Sequence, residues 1–335
     1  MRIGIDCRFA ATPSGLGRYT RELVTHLLKR SDGIEYVLFV HSQNEVWLPK
    51  NCILKIADFP HYSIREQIYF PGIIKQSSID FFLSPHFNVP LRCSIPFIVT
   101  IHDLILHEFP HEALLWKRLA YRWQMNHAIR NSDHIIAVSE YTANDIRKHY
   151  GDRHISVIHE GVQSSFSPKS SEEQQRVLQK YNIKKSFFLY VGSNKDHKNV
   201  PLLKKAAHLS GVSLLCIPES IGTVPDHDLP ALYSASTAFV TASLAEGFCL
   251  PAVEALACGC PVIASNCGAI PEVTKGHATL IEPTVNAFTQ AMKNPPPRPS
   301  PIRLYDWQNA AQKTAAILVA HRSVGGAARR FPSPF

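Results

Sequence analysis

Apolar residues recur along the chain in two alternating rhythms. Short β-favouring runs such as "RIGIDCR" and "EYVLFV" flank a stretch in which Leu23, Val24, Leu27 and Leu28 fall at helical spacing. "PFIVTIHD", the long helical "EALLWKRLAYRWQMNHAIRNS", "DHIIAVSE", "EYTANDIRKHYG" and "ISVIHEGV" continue the alternation, with Gly151 at a C-cap position. "QSSFSPKSSEEQQRVLQKYNIKKS" is polar, partly helical and linker-like. The rhythm then restarts with "FFLYVGS", "VPLLKKAAHL", "VSLLCIP", "DLPALYSAS", "AFVTAS", a helix of small residues and "PVIAS". "NPPPRPSP" excludes regular structure, and "DWQNAAQKTAAILVAHR" reads as a final amphipathic helix.

Such alternation predicts an α/β fold of parallel sheets covered by helices. The expected layout is one domain over 1–165, a linker over 166–185 and a second domain over 186–303. A C-terminal helix over 304–321 and a disordered tail over 322–335 follow.

With 335 residues, 45% of them apolar and 19% charged, the chain is globular and long enough for two cores. No apolar run reaches the ~20 residues needed to cross a bilayer, and the start lacks a signal-peptide core. The expected location is the cytoplasm. Cys258, Cys260 and Cys267 cluster without a C-x-x-C pair and read as packed, reduced thiols. A formal charge of +8 suits an anionic partner such as nucleotide phosphates or an acidic membrane face; no nucleic-acid motif accompanies it.

Ligands of doubly wound sheets bind where strands end. Gly15 and Gly17, in "ATPSGLGRYT" after the first strand, fit a phosphate-facing helix start or a plain turn. His102 and Asp103 follow "PFIVTI"; the histidine can meet a phosphate or a sugar hydroxyl, or be structural. His102, His107 and His111 do not share a helix face, so no metal is expected there. Gly192, Ser193, Lys195 and Lys198 in "GSNKDHKN" bring a bend and positive charge to another strand end, for a pyrophosphate or for solvent. Glu246 and Glu254 flank the loop "GFCLP". Acids cannot bind phosphate, but they can accept from hydroxyls, so the pattern describes a sugar nucleotide; surface acids are the alternative.

These residues resemble the retaining glycosyltransferases of the GT-B fold in family four. "EGFCLPAVEALACGCPVIAS" is similar to the family's E-x7-E segment, and "GLGRYT", "VTIHD", "AVSEYT", "VIHEGV", "YVGSNKDHKN", "LPALYSAS", "IPEV" and "DWQNAAQKT" match further blocks in order over residues 1 to 321. The resemblance implies two Rossmann-like domains facing a cleft. It implies catalytic roles for His102, Glu246 and Lys198, with Glu246 on the donor sugar, Glu254 on the ribose and Lys198 on the pyrophosphate. Phe248, Cys249 and Leu250 would offer backbone amides, Gly15 and Gly17 would approach the phosphate, and Asp103, Ser139, Gly192, Ser193 and His197 would line the substrate site. It implies no metal and no cofactor besides a nucleotide-sugar donor. The "HKN" loop is similar to mannosyltransferase-like members and hints at GDP-mannose. The implied acceptor is a glycan or a lipid-linked sugar, met at the inner face of the plasma membrane.

Several departures stand out. His197 replaces a usual arginine, Cys249 a usual glycine and Ala242 a common proline, and the second domain is shortened between "NVPLLKKA" and "GTVPDHDLP" and again between "IPEV" and "DWQNAA". A weakened homologue acting as a binding partner, a nucleotide-sugar epimerase and an NAD-binding Rossmann enzyme are the rival readings. The helix around Trp116, Lys117, Arg118, Arg122 and Trp123 suits an anionic membrane face, or a core helix that buries Leu114, Leu115, Leu119 and Tyr121.

Overall fold

The computed structural model describes residues 1–31, 33–48, 52–184 and 186–322. Strands β1 (Arg2–Asp6), β2 (Glu35–Val40), β3 (Ile53–Ile56), β4 (Phe81–Ser84), β5 (Phe97–Ile101), β6 (His134–Ala137) and β7 (Ile155–Val157) form one parallel sheet in the order β3-β2-β1-β4-β5-β6-β7. Strands β8 (Phe187–Val191), β9 (Ser213–Ile217), β10 (Ala238–Thr241), β11 (Val262–Ser265) and β12 (Thr279–Ile281) form a second, ordered β12-β11-β10-β8-β9. Central strands such as β4, β5 and β10 are buried on both faces, which is why they read as unbroken apolar runs. The expected α/β architecture of two helix-covered parallel sheets is what the chain adopts.

Each sheet reverses strand order once, between β1 and β4 in the first and between β8 and β10 in the second. A crevice opens beyond the strand ends at each reversal. The segments after β1, β4, β5, β8 and β10 therefore converge.

Between 41 and 95 the apolar rhythm marks no element, yet β3, a helix over Ile64–Gln76 and β4 lie there. The second unit likewise adds a short helix over Ile270–Thr274, β12 and a helix over Val285–Lys293. From β9 the chain passes through a turn directly to the helix Leu229–Ala235, and β9 stands at the sheet edge.

The linker carries a helix over Ser171–Lys180, started by a capping box between Ser170 and Glu173 and packed through Val177 and Leu178. The last helix, Trp307–Arg322, returns to the first unit. Its buried Trp307 meets Tyr19 of the helix Gly15–Leu28 edge-on at 5.5 Å. Residues 323–335, read above as a disordered tail, lie outside the described residues.

The helix Leu115–Asn131 corrects one alternative. It buries Gln124, Met125, Ala128 and Ile129 near its end. Leu114, Leu115 and Leu119, offered above as core positions, are 58–65% exposed, with Trp116 and Trp123 beside them. Tyr121, the fourth of those positions, is half-buried and packs on the core beside Phe87 at 5.2 Å, so the helix meets the core from Tyr121 onward while Leu114, Leu115 and Leu119 stay outside it.

Candidate active site

Lys198 and Glu246 meet where β8 and β10 end. A short 3-10 turn over Asp196–Lys198 follows β8, with Asn199 in the left-handed region at φ 51°. The Lys198 ammonium donates to both carboxylate oxygens of Glu246 at 2.7 Å. Ser243 donates to the same carboxylate at 2.8 Å. Burial opposes the Lys198 charge, but Glu246 outweighs it and raises its pKa. An ion pair so enclosed repays the cost of desolvating its two charges only through close contact and the further hydrogen bond from Ser243.

Gly247, Phe248 and Cys249 then turn into the helix Leu250–Ala257. Cys249 adopts φ 70°, ψ 57°, a left-handed conformation that costs a residue with a Cβ about 1–2 kcal/mol. The family's usual glycine would avoid that cost. Burial, then the charge of Glu246, pushes the Cys249 thiol well up, so it stays protonated. Phe248 is buried beside Tyr305 at 5.3 Å, so its backbone, not its ring, faces the loop's open side.

Glu254 sits one turn into that helix and is buried. Its partner comes from the opposite wall: Arg18, on the helix Gly15–Leu28, donates to Glu254 and to Asp226. Tyr233 donates to the second Glu254 oxygen at 3.2 Å. Burial pushes the Glu254 carboxyl up against the pull of Arg18. Arg18 stands in "GLGRYT", directly after Gly17, yet the motif directs attention to its glycines. Gly15 opens the helix, and the Gly17 amide donates to the Ser14 hydroxyl at 3.1 Å. A Cβ on Gly17 would lie 2.1 Å from the Thr12 carbonyl oxygen, so glycine is a packing requirement there.

Further contacts join the walls. His197 is buried and does not face the Lys198 pair; its ring and backbone N–H both reach Glu112 Oε1, at 2.7 and 2.8 Å. Glu272 accepts from the amides of Glu140 and Tyr141 at 2.9 and 3.0 Å and pairs with His159 at 2.8 Å. Ser139 caps that same helix start, accepting from the Thr142 amide at 3.0 Å. Gly247 abuts His102 so closely that a Cβ would fall 1.7 Å from the His102 carbonyl oxygen.

His102 presents no free nitrogen. Nδ1 faces Glu160 at 3.1 Å and Nε2 faces the Pro85 carbonyl at 2.9 Å. Burial opposes its charge, but Glu160 raises its pKa overall. Asp103 accepts from the Ile105 amide, and Ser193 offers its carbonyl to the Tyr190 hydroxyl next to Gly192. The structure thus gathers Lys198, Glu246, Glu254 and the 247–250 loop on one wall, with Gly17 and His102 facing them. It assigns Ser139 to a cap and His197 to a clasp. Arg18, Glu112, Asp226 and Glu272 carry no local signal beyond Arg18's place beside Gly17. No group of three or more metal-ligating side chains occurs among the described residues.

The family model of Glycosyltransferase Family 4 matches residues 13–166, and that of Glycosyl transferases group 1 matches residues 219–303. The O-antigen chain mannosyltransferase B of Escherichia coli is 31% identical over 59% of this chain. The match spans 59% of that relative, under two thirds of its length. The MMP alpha-(1->4)-mannosyltransferase of Mycolicibacterium hassiacum is 25% identical, over 68% of this chain and 66% of the relative. Among solved structures, a sucrose-phosphate synthase from Thermosynechococcus elongatus superposes with TM-score 0.77 at 17% identity, over 97% of this chain and 100% of that one. A HepE protein from Anabaena in complex with UDP and glucose superposes with TM-score 0.72 at 14% identity, over 96% and 100%. Those two likenesses concern the fold, which is the expected GT-B arrangement. The two matched segments lie one on each wall of the cleft, and the chain belongs to the group 1 glycosyltransferases.

Proposed function

We propose that the protein is a retaining glycosyltransferase that moves a hexose, mannose in the first instance, from a nucleotide-diphosphate sugar such as GDP-mannose to a hydroxyl of a glycan or lipid-linked acceptor. The observation that carries this reading is the buried Lys198–Glu246 pair beside the 247–250 loop, with Glu254 one helical turn further. The mannosyltransferase names of several relatives support the choice of sugar.

In this reading the donor's C1–O bond to the diphosphate breaks as a C1–O bond to the acceptor forms on the same face. The acceptor's proton goes to the departing diphosphate oxygen. Lys198 and the loop amides at the helix start stabilise the charge that develops there. Glu246, freed from Lys198, accepts from the sugar's hydroxyls, and Glu254, freed from Arg18, accepts from the ribose. The cross-wall contacts hold the cleft shut against water, which would hydrolyse the donor.

Melting curves with a panel of nucleotide sugars test this. A ligand at a hundred times its Kd stabilises by about 2.7 kcal/mol, so GDP-mannose should raise the melting temperature most and mannose should appear in product. If no nucleotide sugar stabilises the protein, the reading fails.

The acceptor side suits a lipid surface. Helices Ile64–Gln76 and Leu115–Asn131 both fasten to the segment after β4, through Gln67 to the Leu91 amide and Gln124 to the Val89 carbonyl. Outward they expose Ile64, Ile68 and Tyr69 on one and Leu115, Trp116, Leu119 and Trp123 on the other. The second helix carries Lys117, Arg118, Arg122 and Arg130 and no acid. Aromatic and basic side chains together suit an anionic interface. We therefore expect binding to phosphatidylglycerol vesicles that falls with salt and is lost when Lys117, Arg118 and Arg122 become Gln, with an unchanged melting temperature. Co-sedimentation measures it, and indifference of the wild type to such vesicles at low salt rejects the surface. No described helix is long and apolar enough to cross a membrane.

A further inference from the structure

The turn that carries Lys198 is fastened in part by the opposite wall. From within, the Lys198 amide donates to the Lys195 carbonyl at 2.9 Å and the Asn199 amide to the Asp196 carbonyl at 3.0 Å. Those bonds shape the turn but tie it to nothing else. From outside, Glu246 takes the Lys198 ammonium, the Leu244 amide donates to the His197 carbonyl at 2.7 Å, and Glu112 accepts from His197. The His111–Asp196 pair at the turn's edge, at 3.2 Å, is more than half exposed and contributes little.

The outside anchors differ in what the reaction leaves of them. Glu246 must release Lys198 to reach the sugar's hydroxyls, so that anchor is lost when the donor enters. Leu244 supplies a single backbone bond. Glu112 supplies two: its Oε1 accepts from the His197 amide at 2.8 Å and from the ring Nδ1–H at 2.7 Å. A carboxylate only accepts, so Nδ1 carries the proton. One oxygen thus fixes both the backbone and the ring of His197, the residue directly before Lys198.

Burial makes this contact strong. The side chains of His197 and Glu112 are 4% and 5% exposed, so water does not compete for them. Burial opposes the Glu112 charge, yet the His197 amide and ring hold its carboxyl below the ordinary range. Hydrogen bonds to an ionised acceptor are roughly twice as strong as neutral ones. The two residues stand 85 positions apart, with Glu112 closing the 3-10 turn Pro110–Glu112 of the first unit.

We propose that Glu112 is a positioning residue for transfer: from the first unit it fixes the His197 backbone, and thereby where the Lys198 ammonium meets the departing diphosphate. It acts through His197 and Lys198, not on the sugar. The donor is therefore bound by one wall but activated only when the other wall engages the turn. The inference rests on the glycosyl-transfer reading.

Steady-state release of GDP from GDP-mannose, with methyl α-mannoside as acceptor, tests it on the full chain. Should another nucleotide sugar give the larger melting shift, that one is the donor used. Glu112→Ala should lower kcat about ten- to a hundredfold, the scale of an ångström's misplacement, while KM for the donor stays within about threefold. Its melting temperature should still rise with the nucleoside diphosphate, which shows that the variant is folded. Glu112→Gln, whose amide oxygen can still accept from both His197 donors, should recover most of the rate. A cycle with Lys198→Ala decides between positioning and a merely structural role. If Glu112 acts through Lys198, adding Glu112→Ala to Lys198→Ala should cost less than about twofold more. A structural role would carry its full loss into that background. Additive losses, an unchanged kcat in Glu112→Ala, or no recovery in Glu112→Gln overturns the proposal and leaves the transferase reading standing. A wild type that releases a nucleoside diphosphate from no nucleotide sugar overturns the transferase reading, and the role of Glu112 with it.

Discussion

Lys198→Ala is expected to lower kcat/KM by about a hundred- to a thousandfold with every nucleotide sugar, the range seen when one charge-stabilising donor is removed. The loss should be common to all donors because the diphosphate is common to all. The structure adds a complication: Lys198 is also the partner of Glu246, which only 8% exposure shields from water. Removing it leaves that carboxylate buried and unpaired, which costs folding stability by itself. The double variant with Glu246→Gln separates the two effects. Melting temperature should recover in the double variant while activity does not. Effects of groups that act as a unit do not add, so the double variant should be scarcely less active than the worse single one. Steady-state kinetics with at least two donors decide the matter. A defect confined to one sugar would place Lys198 on the sugar and remove it from the diphosphate.

Gly247→Ala should be the most damaging alanine substitution among the described glycines. The new carbon would lie 1.7 Å from the His102 carbonyl oxygen and 2.8 Å from its carbon, both backbone atoms that cannot rotate away. Relief requires the two walls to part by an ångström or more, and a displacement of that size at reacting groups costs on the order of a hundredfold in rate. Overpacking adds about 1–3 kcal/mol of destabilisation. Transfer should therefore collapse while nucleotide binding, which the proposed function assigns to Lys198 and Glu254 on the second wall, persists in weakened form. Gly15→Ala is the control, since a Cβ there meets nothing within 4 Å. Equal activity in both variants would mean that the closed cleft is not the reacting form.

The two acids were legible from sequence because they belong to one short segment: a strand end, a loop with glycine and proline, and a helix of small residues. What answers each acid was legible only in part. Lys198 shares a wall with Glu246 and carries a strand-end signal of its own. Arg18 meets Glu254 across 236 positions, and Glu272 meets Glu140 across 132. Local spacing encodes nothing at such distances.

The missed elements have physical reasons too. β3 is a four-residue edge strand with mostly exposed side chains, so it lacks the apolar run that marks β4 or β5. The helix Ile64–Gln76 contains Pro71 and Gly72, which read as punctuation, and it turns Ile64, Ile68 and Tyr69 outward. Its apolar positions are therefore split between the core, where Phe70 and Ile74 are buried, and the outside. Similarly, Leu115 and Leu119 look like core residues until the helix is seen to leave them outside the core. Cys249 was legible as a departure; its left-handed backbone shows why glycine suits the position.

The returning helix Trp307–Arg322 has a consequence for how the protein is made. Its Trp307 backbone lies where a Cβ on Gly161 would be, 2.3 Å from the Trp307 nitrogen, and Trp307 itself packs on Tyr19. The amino-terminal unit thus takes one of its own covering helices from residues 307–322, which are made only after the second unit. Domains of most chains fold in order as they emerge, each closing before the next is complete. Here the first sheet must wait, with the apolar side of Gly15–Leu28 uncovered, until residues 307–322 have been made. A nascent chain halted near residue 303 should engage chaperones more strongly than the finished protein, and a premature stop in the final helix should damage the half of the molecule encoded first.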